Sequence, residues 1–475
     1  MLKKFPKSEI SYTLKISTEN KKFLKAAEKV AFDKVHRKKI KFNISRYDAA
    51  VEKGKGIYKD LDLARNRAGH IKYKTINELE KHLVEFENNF QSNGGKIIWA
   101  RNTNEALKEI LTIVKSHEIK AMVKSKSMIT EEIELNDFLE KNGVDSLETD
   151  LGEFIVQQAG QKPYHIVTPA MHMSKEDIAA LYHEKFEVAE NLTPEELTIY
   201  TRELLREKFV AADLGVSGAN FLIADTGSIA LTENEGNAML TMSFPKIHIA
   251  ISGIEKIIPY LTDLDLYWPL LATHGTGQLM TVYNSIISGP RKENEKDGPE
   301  EMYLVLLDNG RTDLLAKERQ RQALSCIKCG ACLNACPIYK NVGGHSYNTT
   351  YSGPIGSVIT PHLKDFKTYK HLSFACTVCG KCTEVCPVKI PLHELLLVNR
   401  NDAVKNGYFT FIEQQGIKWS TLALNSRKIV DMVSGKTKNI LAKTFTPNAW
   451  GPRRELPKMA EKSFSQQWQD KKGKE

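Results

Sequence analysis

The sequence predicts an α/β domain with a parallel sheet, followed by a smaller helical domain that contains all the cysteines. Between about residues 75 and 270, short apolar strands alternate with amphipathic helices, a pattern that produces right-handed crossovers and a parallel sheet. The eight cysteines of the 475-residue chain all lie between Cys326 and Cys386, with amphipathic helices predicted on both sides. A chain with 41% hydrophobic and 26% charged residues has the composition of a globular protein with a buried core.

The first 60 residues are strongly basic. They hold 15 Lys and 2 Arg against 7 Asp and Glu, which gives +10 in a chain whose total net charge is +9. We predict a mainly helical, solvated segment over residues 1–65. A basic arm also suits nucleic acid, an anionic membrane surface or an acidic protein. No nucleic-acid motif or aromatic interleaving accompanies it, so no nucleic-acid partner is expected.

Nothing in the sequence predicts export or membrane insertion. No apolar run reaches the roughly 18 residues that a transmembrane helix needs, and the N-terminus lacks the apolar core and cleavage site of a signal peptide. We therefore predict a cytoplasmic protein. In a reducing compartment, clustered cysteines are more often metal ligands than disulfides.

The α/β domain is predicted over residues 66–300. A helix ending at Gly94 and Gly95 leads into the strand KIIWA, which its apolar residues mark as buried. The next helix has Thr103 as its candidate N-cap, and the strand KAMVKSKS follows. Thr130 is the candidate cap of another helix, which Gly143 ends before the strand VDSLETD.

The second half of this domain is predicted to be less regular. The stretch GVSGANFLIADTGSIALTENEGNAML indicates an antiparallel hairpin or meander, and PKIHIAISGIEKIIPYL a strand and then a helix. The polar segment Ser288–Glu301 reads as a surface loop or linker. The helical cysteine domain is predicted over residues 301–400, and residues 401–475 form a helical and then irregular segment.

Ligands of an open parallel sheet bind at the carboxyl ends of its strands. Four residues at such an end, just before a predicted helix, suit an anion: Lys124, Ser125, Lys126 and Ser127. Two acidic and amide clusters follow later strands, and either could equally serve as turn and cap residues: Glu148, Asp150 and Glu153, and Glu233, Asn234, Glu235 and Asn237. No GxGxxG or P-loop motif supports nucleotide binding, and the sequence predicts no specific catalytic residue.

The cysteines form two runs of the same pattern, CIKCGACLNACP from Cys326 and CTVCGKCTEVCP from Cys376. A [4Fe–4S] cube binds four thiolates, and a CxxCxxC triplet can supply three of them from one loop. Gly330 and Gly380 follow each second cysteine and let the loop turn closely around the cube. Zinc and disulfides are alternatives, but zinc motifs rarely use a CxxCxxC triplet. We predict two [4Fe–4S] clusters.

The fourth cysteine of each run has to be assigned as well. In two-cluster ferredoxins it binds the cluster of the other run. On this rule the first cluster is bound by Cys326, Cys329, Cys332 and Cys386, and the second by Cys376, Cys379, Cys382 and Cys336. Such clusters have no open coordination position, so they transfer single electrons rather than catalyse.

Several segments resemble a known family. VKSKSMITEEIELNDFLEKNGVDSLETDLGEFIVQ, HIVTPAMH, GVSGANFLIADTGSIALTENEGNA and the tail WGPRRELPKMAEKSFSQQW are similar to the lactate-utilisation iron–sulfur proteins, the B subunits of a three-component system that oxidises L-lactate. The duplicated cysteine runs lie downstream in the order typical of that family. The resemblance extends from about residue 60 to 470, and the first 60 residues carry no distinctive match.

The resemblance implies a fold, a function and partners. The α/β domain would be similar to CoA-transferase and sugar-phosphate-isomerase folds. The chain would carry electrons, as a non-catalytic or co-catalytic subunit, while L-lactate is oxidised to pyruvate. Its partners would be a cysteine-rich iron–sulfur protein and a single-domain α/β protein, with a membrane-associated or soluble electron acceptor. The alternatives are a self-sufficient 2-hydroxy-acid oxidoreductase whose α/β domain binds substrate, and a redox-sensing regulator.

Overall fold

The computed structural model describes residues 17–409, 411–445 and 456–472. The expectations for residues 1–16 and for the beginning of the tail motif lie outside the described residues. Ile16–Ala403 form one compact unit, and the residues from Val404 onward belong to another. Within the described ranges, no helix is both long enough and apolar enough to cross a bilayer.

Four helices precede the first strand: α1 (Thr18–Phe32), α2 (Lys34–Lys55), α3 (Leu61–Asn77) and α4 (Leu79–Ser92). Side chains of Ser17, Asp33 and Asp60 accept hydrogen bonds from first-turn amides and so cap the first three of these helices. The helix predicted before Gly94 is α4.

The main sheet has six strands, and every neighbouring pair is parallel. From one edge to the other they are β1 (Lys96–Ala100), β10 (Glu301–Leu307), β7 (Ile247–Gly253), β4 (Leu214–Ser217), β2 (Ala121–Lys124) and β3 (Asp145–Glu148). The predicted parallel α/β sheet is confirmed. Because β10 follows the polar segment Ser288–Glu301, the sheet extends past residue 300.

The central strands are apolar on both faces, as a sheet covered on both sides requires. In β10, Leu304 and Leu306 pack into the core on one face, and Val305 and Leu307 into the core on the other. The prediction that β1 is buried is wrong, because β1 lies at the sheet edge and Trp99 is 47% exposed.

A second, four-stranded sheet has the order β8 (Ile257–Ile258), β5 (Phe221–Ile223), β6 (Ser228–Glu233) and β9 (Tyr283–Ile287). Strands β5 and β6 form the predicted antiparallel hairpin. The beginning of the same predicted segment instead forms β4, whose four residues are all buried in the main sheet. Leu304 and Leu222, one from each sheet, share a core with Phe86 and Phe90 of α4.

The helices that connect the strands are α5 (Thr103–Ser116), α6 (Met128–Glu132), α7 (Leu135–Lys141), α8 (Leu151–Gln158), α9 (Lys175–Phe186), α10 (Pro194–Ala211), α11 (Asn237–Ser243) and α12 (Leu264–Thr276). Two predicted caps are wrong. Asn102, not Thr103, caps α5 by accepting the Glu105 amide. Thr130 lies inside α6, where its hydroxyl donates to the Ser127 carbonyl. The helix predicted directly after β7 is replaced by a 3₁₀ turn and β8.

The cysteine region is helical, as predicted. Its helices are α13 (Arg311–Leu315), α14 (Ala331–Ala335), α15 (Pro337–Val342), α16 (Gly353–Leu363), α17 (Phe366–Tyr369), α18 (His371–Phe374), α19 (Lys381–Glu384) and α20 (Leu392–Lys405). Further 3₁₀ turns cover Leu261–Asp263, Gln320–Ser325 and His345–Tyr347.

The N-terminal helices pack onto this region and are not only solvated surface. Phe23, Ile40 and Ile44 are buried in the same apolar core as most of the cysteines. The Arg65 guanidinium of α3 donates to the Cys386 carbonyl oxygen at 3.0 and 3.2 Å. The basic segment therefore has an inner face that supports the second cysteine run, and the prediction of a purely solvated segment is wrong there.

The unit after Val404 contains α21 (Phe411–Leu424), α22 (Arg427–Met432), α23 (Gly435–Phe445) and α24 (Phe464–Lys472). Asn439 joins α23 to the following segment by hydrogen bonds with the amide and carbonyl groups of Met459. The first helices of this unit agree with the prediction, but α24 lies where the sequence predicts an irregular segment.

Candidate functional site

The eight cysteines form two groups of four. Cys332 lies within electrostatic range of Cys326, Cys329 and Cys386. We call these four the inner thiol group. Cys382 lies within electrostatic range of the remaining three, Cys336, Cys376 and Cys379, and these form the outer thiol group. Each group combines three cysteines of one run with the fourth cysteine of the other.

The two loops have the same backbone conformation. In each loop, the second residue after the first cysteine has a positive φ, +61° at Lys328 and +56° at Val378. Their amides donate to the sulfurs of Cys326 and Cys376, at 3.4 and 3.2 Å respectively. Such N–H groups stabilise thiolates and tune cluster potentials. The repeat in sequence is therefore also a repeat in structure.

The fourth cysteine of each run is held in a similar way. The Tyr339 amide donates to the Cys336 sulfur at 3.5 Å, and the Ile390 amide donates to the Cys386 sulfur at 3.4 Å. Pro337 occupies the first turn of α15, where its missing N–H costs no hydrogen bond. The prolines after each run thus follow sulfurs that already accept a backbone hydrogen bond.

The two groups differ in their surroundings. The inner loop is buried: a Cβ atom on Gly330 would lie 2.9 Å from Val167 and 3.2 Å from His165. A Cβ atom on the equivalent Gly380 would lie more than 4 Å from the other described residues, its chain neighbours aside, and Cys379 is exposed. The inner group therefore faces the protein interior, and the outer group reaches the surface.

The thiols suit a cationic centre. All eight are free of disulfides. Burial raises the pKa of Cys382 to about 12 and of Cys386 to about 11, so these thiols ionise at neutral pH only when a cation compensates the charge. Iron supplies that charge in an iron–sulfur cluster. Among the described residues, no three His, Cys, Asp or Glu side chains converge around a single metal ion.

Cations and a neutral histidine surround the inner group. Lys72 and Lys256 both lie within electrostatic range of Cys326. The Lys72 ammonium is buried and donates to the Ile257 carbonyl at 2.7 Å. His165 Nδ1 accepts the amide of Val167 at 3.1 Å, and burial lowers the pKa of this imidazole to about 3. The imidazole beside the inner loop is therefore uncharged at neutral pH.

A cavity of about 370 Å³ lies between the main sheet and the inner loop. Its walls include the segments Ser125–Ile129 after β2 and Gly218–Asn220 after β4, together with Lys328 and Cys329 of the inner loop. From β2 the chain continues to β3, its neighbour on one side. From β4 the chain continues toward β7, on the other side. The chain connections therefore run in opposite directions from β2 and β4. This is the topological switch point, where open α/β sheets bind ligands.

Three of the four residues of the predicted anion site line this cavity. Ser125, Lys126 and Ser127 line the cavity. The Lys126 ammonium donates to the Val167 carbonyl at 2.9 Å and lies 3.9 Å from Asp150. The Ser125 hydroxyl is buried and has no hydrogen-bond partner within the described part of the chain.

Lys124 does not belong to the cavity, contrary to prediction. Its fully buried ammonium lies 2.7 Å from Glu148 and 3.6 Å from both Glu131 and Glu153. Burial opposes the charge, but the three carboxylates outweigh it and raise the pKa of Lys124 above its ordinary value. An ammonium enclosed by three carboxylates is not available to an anionic ligand, so Lys124 is a structural residue.

Only some residues of the two predicted acidic and amide clusters line the cavity. Glu148 and Glu153 contact Lys124, and Asp150 lines the cavity while capping α8. Glu233 accepts the amides of Ala238 and Met239 at the start of α11. Glu235 lines the cavity, where burial and the nearby Asp150 raise its pKa to about 7. The remaining two predicted residues, Asn234 and Asn237, also line the cavity.

Sequence reasoning missed two cationic residues here. Arg311 donates to Glu255 at 2.6 Å and to both carboxylate oxygens of Glu132 at 2.9 and 3.0 Å, all in the interior. Lys256 lines the cavity just beyond the carboxyl end of β7. The strand-end rule applied to SGIEK would have found Lys256, whereas no local signal marks Arg311. A larger cleft of about 670 Å³ near His345 contains none of the predicted site residues.

Comparisons with known proteins identify two domains in the chain. Residues 83–307 match the LUD domain, and residues 322–390 match the 4Fe-4S dicluster domain. Lactate utilization protein B of Anoxybacillus flavithermus is 41% identical over 418 residues, which are 85% of this chain and 88% of that protein. The chain belongs to the lactate utilization protein B family.

Membership of this family confirms the resemblance found in the sequence and identifies an iron–sulfur, lactate-utilisation protein. Another relative, of Escherichia coli K12, is named as the electron transport protein YkgF and is 41% identical over 354 residues, 74% of each chain. A crystal structure of a DUF162 family protein from Deinococcus radiodurans matches 98% of its own chain and 48% of this chain. Its identity is 12% and its TM-score 0.28, too low to compare the folds in detail.

Proposed function

We propose that this chain is the electron-transfer subunit of a multi-subunit system that oxidises L-lactate to pyruvate, and that it carries two [4Fe–4S] clusters. The inner thiol group would bind one cluster through Cys326, Cys329, Cys332 and Cys386. The outer group would bind the other through Cys376, Cys379, Cys382 and Cys336. The clusters would pass one electron at a time between the oxidation site and an acceptor.

One observation carries this proposal: the eight thiols separate into two groups of four that each cross between the runs. A cube needs four thiolates, and the crossed arrangement is the one that two-cluster ferredoxins use. Crossing also brings the two groups together, because each run contributes to both. Closely spaced clusters are what single-electron transfer requires.

The different exposure of the groups supports a direction for the electron path. Cys329 of the inner group lines the cavity at the switch point of the sheet. Cys379 of the outer group is exposed. We infer that electrons enter through the inner cluster and leave through the outer one, toward a partner protein. Two companion subunits, a cysteine-rich iron–sulfur protein and a single-domain α/β protein, would complete the system.

The proposal is tested by lactate-dependent reduction of a dye. The anaerobically purified chain should give no turnover alone and should support turnover after both companion subunits are added. A Cys379→Ala variant should lose turnover in the complete mixture while it still binds the companions. Turnover by the isolated chain would refute the role of a carrier.

The cavity beside Cys329 supports a second candidate function, and the same assay tests it. A self-sufficient 2-hydroxy-acid oxidoreductase would bind its substrate there, within reach of the inner cluster. Oxidation of an alcohol to a ketone releases two electrons, whereas each cluster takes one, so this candidate needs both clusters oxidised at the start of a turnover. Lactate-dependent turnover by the chain alone would establish it.

A further inference from the structure

We propose that the cavity between β2, β4 and the inner loop is a binding site for a small organic carboxylate, and that Lys256 and Lys328 bind its carboxylate group. The inference rests on the proposed function in one respect: the ligand would lie against the cluster through which electrons enter. Its own evidence comes from the unpaired polar groups of the cavity.

Lys256 is the first of these groups. Within the described ranges its ammonium has neither an ion pair nor a hydrogen bond, although it lines the cavity. The carboxylate next to it in sequence, Glu255, is already bound by Arg311 at 2.6 Å. Glu255 and the Cys326 thiol act on this partly buried ammonium only through electrostatics, so a hydrogen-bonded anion would compensate its charge further.

Lys328 adds a second cation from the opposite wall. Its ammonium lies 4.1 Å from the centre of the Tyr351 ring, and no described carboxylate lies within ion-pair distance of it. Lys328 lies close enough to Lys256 to disfavour the charge of the Lys256 ammonium. An anion between two such ammonium groups would remove this repulsion.

The third observation is the Ser125 hydroxyl, which is buried and without a partner in the described structure. Ser125 itself is only 2% exposed and lines the cavity. A buried hydroxyl normally has a hydrogen-bond partner, and a ligand oxygen in the cavity would supply one. The three polar groups come from different elements, after β2, after β7 and in the inner loop, and all three line this cavity.

The volume of the cavity and the residues on its far wall restrict which ligands can bind there. A volume of about 370 Å³ is at the small end of the range for organic ligand sites. Glu235, with a pKa of about 7, and Asn234 lie on the wall and can bind a hydroxyl or keto oxygen. A small hydroxy or keto acid has both groups that these walls match.

The test uses the anaerobically purified full chain, with L-lactate and neutral L-lactamide as matched probes, and isothermal calorimetry as the measurement. Lactate should bind and lactamide should bind much more weakly. Lys256→Gln should weaken lactate binding by roughly ten-fold or more, because one charge-assisted hydrogen bond is lost. Lys246→Gln is the control: Lys246 lies just before β7 at the opposite end of that strand, is 79% exposed and should leave affinity within about two-fold.

Ser125→Ala separates a binding role from a structural role. If the hydroxyl serves a ligand, this variant binds lactate more weakly and keeps the wild-type melting temperature, because no hydrogen bond within the protein is lost. A lower melting temperature with unchanged affinity would contradict the inference. So would equal binding of lactate and lactamide, or equal effects of the two lysine substitutions.

The outcome is distinguishable from a failure of the proposed function. Calorimetry detects binding whether or not the clusters transfer electrons. Protein with its full iron content that binds no lactate would overturn this site and leave the carrier role intact. Protein that binds lactate but contains no iron would overturn the carrier role and leave this site intact.

Discussion

Gly330 of the inner loop packs directly against His165, so that a Cβ atom at Gly330 would lie 3.2 Å from the imidazole Cε1 and 2.9 Å from Val167. Gly380 has the same φ of +80° in the outer loop, and the described part of the chain leaves open space where its Cβ atom would lie. The two glycines are therefore equal in backbone strain and different in packing. This contrast describes the site as a whole, with one thiol group enclosed by the α/β domain and the other at the surface.

The glycine pair gives the first prediction. Gly380→Ala should lower stability by about 1–2 kcal/mol through the left-handed backbone conformation alone. Gly330→Ala should cost about 1–3 kcal/mol more, because the added methyl group overpacks against Val167 and His165. Anaerobic thermal unfolding and iron content are the measurements. Equal effects of the two substitutions would show that the inner loop is not enclosed.

Crossed ligation gives the second prediction. Cys386→Ala should abolish the same reduced-state EPR signal as Cys329→Ala, although the two residues lie in different runs. Cys336→Ala should abolish the signal that Cys379→Ala abolishes. The other signal should persist in each variant. If Cys386→Ala instead resembled Cys379→Ala, each run would bind its own cluster, and the grouping of the thiols would have to be revised.

The buried lysine gives the third prediction. Lys124→Met should lower the free energy of unfolding by about 3–5 kcal/mol, because it leaves the carboxylates of Glu148 and Glu153 buried without their cation. The control is Lys162→Met, which breaks an exposed ion pair with Glu134 and should cost less than about 1 kcal/mol. The measurement is denaturant unfolding at neutral pH.

The sign of the pH dependence of Lys124 can be stated as well. Its pKa in the folded protein lies above the ordinary value of 10.5, so its stabilisation is fully present below 10.5 and is lost only as the pH rises through the higher value. The difference in stability between wild type and Lys124→Met should therefore be constant from neutral pH to mildly alkaline pH. A difference that disappeared near neutrality would contradict the ion-pair account.

Glu235 gives the fourth prediction, on the affinity of the cavity for lactate. Its pKa of about 7 is raised by burial and by Asp150, with Glu233 adding to the effect and Lys126 opposing it. Above this pH the ionised carboxylate repels the anionic ligand, so affinity should fall as the pH rises from about 6 to about 7.5. Glu235→Gln should remove most of this dependence, because the Lys256 ammonium, whose pKa burial lowers to about 8, loses charge only toward the upper end of this range. Calorimetry at several pH values is the measurement, and a wild-type affinity that rose over this range would contradict the assignment.

Local patterns predicted much of this architecture. The two cysteine runs, the parallel strands and most helices depend on spacing within about 20 residues, and a sequence shows such spacing directly. The loop conformation at Gly330 and Gly380 follows from the same local pattern. The exposure of β1 was not predictable, because the residues that flank a strand in space come from distant segments.

The arrangement around the cavity depends on tertiary structure. Lys124 and Lys126 are two residues apart and face opposite environments, one enclosed by Glu148 and its neighbours and the other in the cavity. Alternation along a strand predicts that they share a face, but Lys126 lies beyond the end of β2, where alternation no longer applies. Lys328 comes from another part of the chain, so only the fold could show that it shares the cavity with Ser125.

The measurement that tests the central claim most directly is the iron and labile sulfide content of the anaerobically purified chain, combined with a reductive EPR titration. Two cubes predict about eight iron and eight sulfide per chain and two one-electron reductions. Protein with neither iron nor sulfide, or with zinc bound to the cysteines in stoichiometric amount, would contradict the account.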